Sequence, residues 1–353
     1  MNQWFATKII EWYGHNKRNL PWRNTKNPYK IWLSEIILQQ TRVEQGLPYY
    51  TRFIEAFPTV NDLAKAKEDR VLKLWQGLGY YSRARNLHTA SKQIMRQFKG
   101  KFPEKHEDIL KLKGVGNYTA AAISSFAFNT SKAVVDGNVY RLLSRVFRIH
   151  SPIDSTSGKK DFQALADLLI DEKNPGKFNQ AIMEFGSQFC KPKNPDCENC
   201  IFNNKCLALK HNEVKTLPIK AGKVKVRTRY FNYFLIIDNK RTLIIKKRAE
   251  KDIWEGLYDF PLLETEKILT PAEITTSSHL QEYRKKQIKI LEISKTYVHI
   301  LSHQKIMCQF VLLKVSALHA TRHKTANSKT LTKFAFPRLI ELYINDCNLN
   351  DFL

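Results

Sequence analysis

Four cysteines lie close together in the second half of the chain, and their spacing is typical of a metal site. Cys190, Cys197, Cys200 and Cys206 follow the pattern C-x6-C-x2-C-x5-C, and the chain has six cysteines in all. The chain starts without an apolar signal segment, so we expect reduced thiols rather than disulfides. One C-x2-C pair flanked by wider gaps favours an iron–sulfur cubane over zinc, whose ribbons usually carry two such pairs. Zinc, and a merely structural role for the cysteines, remain alternatives.

Two carboxylates stand in contexts that suit acid–base chemistry. Glu35 lies in a predicted helix and shares an apolar face with Ile31 and Leu38, so burial should raise its pKa toward neutrality. Asp136 precedes a second predicted helix. A buried glutamate with one structural partner and an ordinary helix cap are the alternatives. One protonated and one ionised carboxyl are what cleavage of a C–N glycosidic bond through an oxocarbenium-like state requires.

A turn with two glycines joins an amphipathic segment to an alanine-rich one at residues 111–120 (KLKGVGNYTA). Gly114 and Gly116 allow a sharp bend and a close approach of the backbone to a ligand. The helix that follows would present unpaired N–H groups to a phosphate. A plain helical corner is the commoner meaning of G-x-G. Lys111 and Lys113 favour a helix-hairpin-helix that grips the DNA backbone without reading sequence.

The charge of the chain is large and unevenly distributed. Lys and Arg number 58 against 33 Asp and Glu, a formal net charge of +25. Residues 1–150 carry 25 basic and 11 acidic side chains, whereas residues 151–200 carry 6 and 8. A lysine-rich solvated surface is one explanation, but a polyanionic partner is favoured, with nucleic acid first. No apolar run is long enough to span a membrane.

The elements that position these residues change character along the chain. Apolar stripes predict successive helices over the first two hundred residues, one with Val71, Leu74 and Trp75 and another with Val139, Leu142, Leu143, Val146 and Phe147. Strands are expected at 231–237 and 242–245 around a polar turn, and again within 288–315. We therefore predict a multidomain chain, an all-α domain followed by an α+β domain. The predicted bounds are 1–212, a basic connector at 213–229, and 230–353.

Several motifs together resemble a known family. The glycine turn, Asp136 and the cysteine loop resemble the helix-hairpin-helix glycosylases of the endonuclease III superfamily. Within it, the chain is similar to the MutY-type adenine DNA glycosylases over almost its whole length. The matching motifs are LPWR at 20–23, SE at 34–35, LQQT at 38–41, GLGYYSR at 77–83 and VDGNV at 135–139.

This resemblance implies a role for each matching residue. Glu35 would protonate adenine N7 and Asp136 would stabilise the sugar cation, with Tyr118 and Asn138 orienting these charges. The resemblance also implies a 4Fe-4S cluster on the four cysteines. A lyase lysine in bifunctional relatives is replaced here by Tyr118, which implies a monofunctional glycosylase. The other implied contacts are Arg23 and Gln180 near the extruded base and Gln40 and Tyr80 in the stack around the partner base.

The second domain resembles the Nudix-like domain of the same family, with WEGLYDFP at 254–261. No Nudix-type run of paired glutamates occurs within 256–290, so we expect a reader rather than a pyrophosphatase. The family's Phe-Ser-His loop corresponds to Leu301, Ser302 and His303, with leucine in place of the aromatic residue. Ser302 and His303 keep their hydrogen-bonding groups.

The implied partner is double-stranded DNA with adenine opposite 8-oxoguanine or guanine, and base flipping would deliver the adenine to the site. We expect a monomer that acts in the cytoplasm, on the nucleoid if bacterial, without a membrane partner. One alternative is a bifunctional endonuclease III-like glycosylase and lyase. Another is a non-enzymatic iron–sulfur protein that only binds DNA.

Overall fold

The computed structural model describes residues 3–222, 226–249, 251–277, 280, 288–318, 324–347, 349 and 352. The chain divides into two compact units: Met1–Lys65 with Asn86–Lys223, and Ala66–Arg85 with Val224–Leu353. The segment Ala66–Arg85 thus packs with the second unit, although it lies within the helical first part of the sequence. In the described ranges no helix has the length and apolar character needed to cross a membrane.

Helices occupy most of residues 3–210. They are α1 (Gln3–Asn16), α2 (Pro28–Leu38), α3 (Val43–Ala56), α4 (Val60–Lys65), α5 (Glu68–Trp75), α6 (Ser82–Gln97), α7 (His106–Leu110), α8 (Asn117–Phe128), α9 (Gly137–Phe147), α10 (Thr156–Leu169), α11 (Pro175–Gln188) and α12 (Leu207–Lys210). Short 3-10 turns cover Pro21–Arg23 and Asn203–Lys205. In the first unit α8 packs against α2 and α11, and α11 also packs against α1 and α9.

Local sequence explains where the helices that carry the candidate site begin. Helix α2 starts at Pro28, where the missing N–H costs nothing, and the Asn27 side chain accepts hydrogen bonds from the next turn. Helix α9 starts after Asp136, whose carboxylate caps its first turn. Helix α11 again starts with a proline, Pro175. These starts fix the register of three neighbouring helices.

Aromatic side chains fill the core of the first unit. Phe5 and Phe202 stack with ring centroids 4.8 Å apart, and Phe185 meets Phe202 edge to face at 5.2 Å. Phe178 and Phe162 are fully buried in the same cluster. Because Phe202 belongs to the cysteine loop, burial of this ring ties the loop to helices α1 and α11.

The predicted apolar stripes are confirmed with one correction. Val139, Leu142, Leu143 and Val146 are buried, and Phe147 packs against their cluster. On α5, however, Val71, Leu72 and Trp75 are buried while Leu74 is only partly covered. The prediction took Leu74 for the core face because its i+3 spacing from Val71 fits a helix, but the buried face is centred between Val71 and Leu72, which leaves Leu74 beside its edge.

The second unit is built on a sheet that also carries helices, as expected for an α+β domain. Its strands are β1 (Arg227–Asp238), β2 (Leu243–Lys247), β3 (Tyr258–Asp259), β4 (Leu262–Thr265), β5 (Lys289–Ile293), β6 (Tyr297–Ile300), β7 (Gln304–Val315) and β8 (Lys324–Ala326). The path runs β3-β2-β1-β7-β5, with β4 on β1, β6 on β7 and β8 on β2. Helices α13 (Pro271–Thr276), α14 (Ser328–Leu331) and α15 (Arg338–Asp346) complete it. β1 and β7 pair in parallel, from Arg227 opposite Gln304 to Asp238 opposite Val315.

Specific contacts hold Ala66–Arg85 in this unit. Asp69 accepts a hydrogen bond of 2.6 Å from Lys247 and one of 2.9 Å from the Tyr258 hydroxyl. Lys73 Nζ donates to the carbonyl of Phe334 at 2.9 Å. Gly256, at φ +82°, lies so close that a Cβ there would be 3.1 Å from Leu72. Charge pairs and close packing thus anchor α5 to the sheet.

Candidate active site

Glu35 and Tyr118 meet where α2 packs against α8. The hydroxyl of Tyr118 donates to Oε2 of Glu35 at 2.8 Å, and Glu35 is 7% exposed. Burial raises the pKa of Glu35 to about 7; the negative charge of Asp136 adds to this, while the Tyr118 hydrogen bond and Arg23 oppose it. A carboxyl of this kind is protonated in a large fraction of molecules near neutral pH. It can therefore deliver a proton to a bound base.

Asp136 caps α9 and is held through both carboxylate oxygens. Oδ1 accepts from the backbone N–H groups of Asn138 and Val139 at 2.9 and 2.8 Å, and Oδ2 accepts from Asn138 Nδ2 at 2.9 Å. Burial raises the pKa of Asp136, and these donors together with Arg141 oppose the rise. The capping role and a catalytic role are compatible, because the same contacts fix the carboxylate in one orientation. Its negative charge is felt at both Glu35 and Tyr118.

Arg23 and Gln180 lie on the same side of the first unit, linked through Tyr13. The Tyr13 hydroxyl donates to Gln180 Oε1 at 2.8 Å, and the Arg23 guanidinium lies 5.6 Å from the centre of the Tyr13 ring. The charge of Arg23 acts on Glu35. The structure therefore brings Arg23 into the electrostatic surroundings of Glu35, and Tyr13 connects Arg23 to Gln180.

Sequence reasoning missed Arg141, which connects this site to the cysteine loop. Its Nη2 donates to Asn138 Oδ1 at 3.0 Å and to the Gly186 carbonyl at 2.6 Å, and its Nε donates to the Cys190 carbonyl at 2.8 Å. Arg141 stands three residues after Asn138 on α9, so helical spacing alone could have placed the two on one face. The carbonyl partners could not be read from the sequence, because they lie 45 and 49 residues away.

The four cysteines line one cavity together with mostly apolar side chains and three polar residues, Arg145, Asp196 and Asn203. All four are free thiols. Two sulfurs receive hydrogen bonds, Cys190 Sγ from Arg145 Nη1 at 3.4 Å and Cys200 Sγ from the Phe202 N–H at 3.4 Å. Within the described part of the chain, no group of three or more His, Cys, Asp or Glu side chains is arranged to hold a metal ion.

The glycine turn forms a helix-hairpin-helix between α7 and α8. Gly114 has φ +78°, and a Cβ there would be 2.6 Å from Asn86 Cβ, so only glycine fits. Gly116 is the N-cap of α8 with φ −99°, and a side chain there would meet no described atom within 4 Å. Gly114 is thus required by packing, whereas Gly116 leaves the start of α8 open toward solvent.

Gln40 and Tyr80 share an unusual backbone conformation. Their φ angles are +55° and +48°, in the left-handed region that residues other than glycine rarely adopt. Gln40 is exposed in the first unit, and Tyr80 is 48% exposed in the second. Such strain is often stored at functional positions. Both side chains are accessible to a partner.

Leu301, Ser302 and His303 form the turn between β6 and β7. The Leu301 N–H donates to the Gln304 carbonyl at 2.8 Å, and the Ser302 hydroxyl lies 3.2 Å from His303 Nδ1. Leu301 is half-buried, while Ser302 and His303 are exposed. The turn therefore presents two polar side chains to solvent on a closed hairpin.

Family comparisons agree with both units. Residues 33–166 match the HhH-GPD superfamily of base excision DNA repair proteins, and residues 232–346 match the NUDIX domain. Adenine DNA glycosylases of two Buchnera aphidicola subspecies are 34% and 31% identical over 91% and 99% of this chain and 90% and 99% of their own. The human adenine DNA glycosylase is 40% identical over 60% of this chain and 41% of its own.

Solved structures agree with the fold of the helical part. A thermostable thymine-DNA glycosylase is 28% identical, with a TM-score of 0.56 over 60% of this chain and 97% of its own. Endonuclease III in a non-covalent DNA complex is 19% identical, with a TM-score of 0.52 over 59% of this chain and 95% of its own. At that identity the second likeness concerns the fold alone.

The helical fold and the two family matches define a DNA-binding base excision repair glycosylase of the helix-hairpin-helix superfamily, followed by a Nudix-like domain. This confirms the predicted fold class. The chain belongs to the adenine DNA glycosylases, hydrolases of N-glycosyl bonds.

Proposed function

We propose that this protein excises adenine opposite 8-oxoguanine or guanine in duplex DNA by acid-assisted hydrolysis, without a lyase step. The observation that carries the proposal is the buried Glu35, hydrogen-bonded by Tyr118, beside the fixed carboxylate of Asp136. Two carboxyls in different environments can take the roles of acid and ion stabiliser. The domain division into 1–212, 213–229 and 230–353 stands as part of this proposal.

The proposed reaction assigns each group one task. Glu35 gives its proton to adenine N7 as the bond between C1′ and the base nitrogen breaks, so adenine leaves as the neutral base. Asp136, ionised, stabilises the positive charge that develops on the sugar. Water then adds to C1′, and the proton it releases can return to Glu35. Tyr118 and Asn138 keep the two carboxyls in place.

The same residues support hydrolysis of the glycosidic bond without a lyase reaction after it. A lyase needs an amine that attacks C1′ and forms a Schiff base. Tyr118 stands where bifunctional relatives carry that lysine, and its hydroxyl is already engaged with Glu35. Burial and the neighbouring carboxyls raise the pKa of Tyr118 well above its usual value, so it remains a neutral donor. We therefore assign it an orienting role.

We propose that the cysteine loop binds a 4Fe-4S cluster through Cys190, Cys197, Cys200 and Cys206. Two features support this: one mostly apolar cavity lined by all four thiols, and hydrogen bonds to two of the sulfurs, which are common around such clusters. A cluster of several atoms needs a cavity between the thiols, whereas a single metal ion needs ligands that converge on one point. When bound, the cluster would fix the loop that carries Lys191, Lys193 and Lys205.

Contacts to the DNA are assigned to three places. The open start of α8 at Gly116, with Gly114 shaping the turn, would bind backbone phosphate without reading sequence. Gln40 and Tyr80 would fill the stack around the partner base. The exposed Ser302 and His303 would hydrogen-bond 8-oxoguanine, with Leu301 as an apolar wedge.

A strand-cleavage assay tests the proposed function. Duplexes with adenine opposite 8-oxoguanine are incubated with the full chain and divided, one half receiving hot alkali. We expect breaks at the adenine only after alkali, because hydrolysis leaves an intact abasic strand. Breaks without alkali would instead support the bifunctional alternative. Binding without breaks in either half would support a protein that only docks on DNA.

A further inference from the structure

A buried carboxylate outside the two catalytic candidates binds Arg18 and Arg23 together. Glu184 on α11 is 1% exposed. Its Oε1 accepts from Arg18 Nε at 2.9 Å and from Arg23 Nη1 at 3.0 Å. Its Oε2 accepts from Arg18 Nη2 at 2.7 Å and from Arg23 Nη2 at 2.6 Å. Both guanidinium groups are therefore held in a two-point geometry by one side chain.

The charge state of this group is well defined. Burial would raise the pKa of Glu184, but the hydrogen bonds from Arg18 and Arg23 outweigh it and lower the pKa to about 2. Glu184 is thus ionised throughout the range in which a repair enzyme works. Two guanidinium groups and one carboxylate leave one net positive charge in this cluster.

Arg23 is the member that connects the cluster to the site. It contacts the Tyr13 ring, and Tyr13 donates to Gln180, which lies one helical turn before Glu184 on α11. The charge of Arg23 also acts on Glu35. An arginine held by two hydrogen bonds presents its remaining N–H groups in fixed directions, which suits recognition of an acceptor nitrogen on a purine.

We infer that Glu184 is a positioning residue that fixes Arg23, and through it sets both the placement of the extruded adenine and the protonation of Glu35. This inference rests on the proposed function. Glu184 touches neither the base nor the sugar in this account. Its effect passes through the guanidinium of Arg23, which a purely structural ion pair would not require.

The first test is Glu184→Gln in the full chain, measured by single-turnover excision of adenine opposite 8-oxoguanine. The amide keeps the shape but loses the charge and one acceptor oxygen, so Arg23 is no longer held at two points. We expect the rate to fall by on the order of 100-fold, because a small misplacement near a reacting centre has an effect of this size. Duplex binding should be retained.

The pH profile separates a positioning role from a structural one. Three charged or titratable groups act on Glu35: Tyr118 on α8, Asp136 at the start of α9 and Arg23 on the 3-10 turn. Loss of the Glu184 charge leaves Arg23 uncompensated, which favours ionised Glu35. The decline of the rate at high pH should therefore move to lower pH. Glu184→Asp, which restores the charge, should return that midpoint and recover part of the rate.

A double variant tests whether Glu184 acts through Arg23. Adding Glu184→Gln to Arg23→Gln should change neither the rate nor the pH midpoint further, since the residue acted upon is already gone. If Glu184→Gln alone does not fold, Glu184→Asp decides the matter, because the shorter side chain weakens the hold on Arg23 but keeps the charge: the rate should fall while the pH midpoint stays at the wild-type value, and an unchanged rate would overturn the inference. Glu213→Gln is the matched control, because Glu213 pairs with Arg148 at 2.9 Å on the surface. It should match wild type.

Each failure has a distinct signature. If the wild-type protein does not excise adenine, the proposed function fails. If wild type excises adenine and a folded Glu184→Gln keeps its rate and pH midpoint, only the inference about Glu184 is overturned. A double variant that is clearly slower than Arg23→Gln would overturn it as well, because Glu184 would then act by another route.

Discussion

The hydroxyl of Tyr118 on α8 lies 2.8 Å from Oε2 of Glu35 on α2. The contact holds the acid in one orientation, and it also lowers the pKa of Glu35 against the larger effect of burial. Tyr118 therefore governs both the orientation and the protonation of Glu35, the group proposed to protonate adenine.

Replacing Tyr118 by phenylalanine should slow excision and shift its pH dependence. A hydrogen bond to a charged group contributes about 1.5–3 kcal/mol, so we expect a loss of single-turnover rate of roughly 10- to 150-fold. Because the lost bond lowered the pKa of Glu35, the decline at high pH should move upward. Tyr140→Phe, on a half-buried tyrosine of α9, is the control. An unchanged profile would contradict the orienting role.

The variant Tyr118→Lys tests whether an amine at this position can act as a lyase nucleophile. The amine would stand where a lyase nucleophile belongs, so the variant should become trapped on abasic DNA when borohydride is present. Wild type should not be trapped under the same conditions. A wild-type protein that traps efficiently would show that another amine in the chain serves as nucleophile.

The pH dependence of wild-type excision follows from the acid. Glu35 must be protonated to act, and burial raises its pKa to about 7. The rate should therefore fall as the pH rises through about 7. Below pH 7 the rate should stay high until the pH is low enough to protonate Asp136. Excision that stays constant between pH 6 and pH 9 would place the acid elsewhere.

A bound 4Fe-4S cluster should be visible in the colour of the purified protein. Protein produced under anaerobic, iron-replete conditions should be brown, and Cys197→Ser should lose the colour together with DNA affinity while the other helices still fold. Cys347→Ser, on a half-buried cysteine of the second unit, should keep both. Stoichiometric zinc without iron would contradict the cluster assignment.

The hairpin turn of the second unit should control lesion preference rather than chemistry. Ser302→Ala removes one exposed hydroxyl and should reduce the preference for 8-oxoguanine over guanine by about 3- to 10-fold, the equivalent of about 0.5–1.5 kcal/mol. Leu301→Phe should tighten lesion binding, because stacking on a ring contributes about 1–3 kcal/mol per base. Competition binding on paired duplexes measures both, with Leu342→Phe as control. Unchanged preference in Ser302→Ala would remove the turn from recognition.

Deleting the second unit is a poorer test than these point variants. Asp69 and Lys73 have their partners at Lys247, Tyr258 and Phe334, so truncation would also strip α5 of its packing. The segment that carries Tyr80 belongs to the same unit. A truncated chain would therefore lose the packing of α5 and of the segment with Tyr80, as well as the domain proposed to recognise the lesion.

Local sequence patterns were sufficient for the fold class, for the burial of Glu35 and for the position of Asp136 at the start of a helix. The burial of Glu35 follows from the period of its helix, and the place of Asp136 follows from the turn before α9. Glu184 could not be found this way, since it meets Arg18 across 166 residues, and neither could the carbonyl partners of Arg141, which lie 45 and 49 residues from it. The packing of Ala66–Arg85 was missed for a related reason: an apolar stripe predicts a helix but does not say which core covers it.

The most direct test is single-turnover excision of adenine opposite 8-oxoguanine by Glu35→Gln and Asp136→Asn. Each substitution removes a proton or a charge with little change of shape, so duplex binding should persist. We predict excision too slow to detect in both variants, with affinity for the mismatch close to wild type. Near wild-type excision by Glu35→Gln would contradict the account, because the proton would then come from another group.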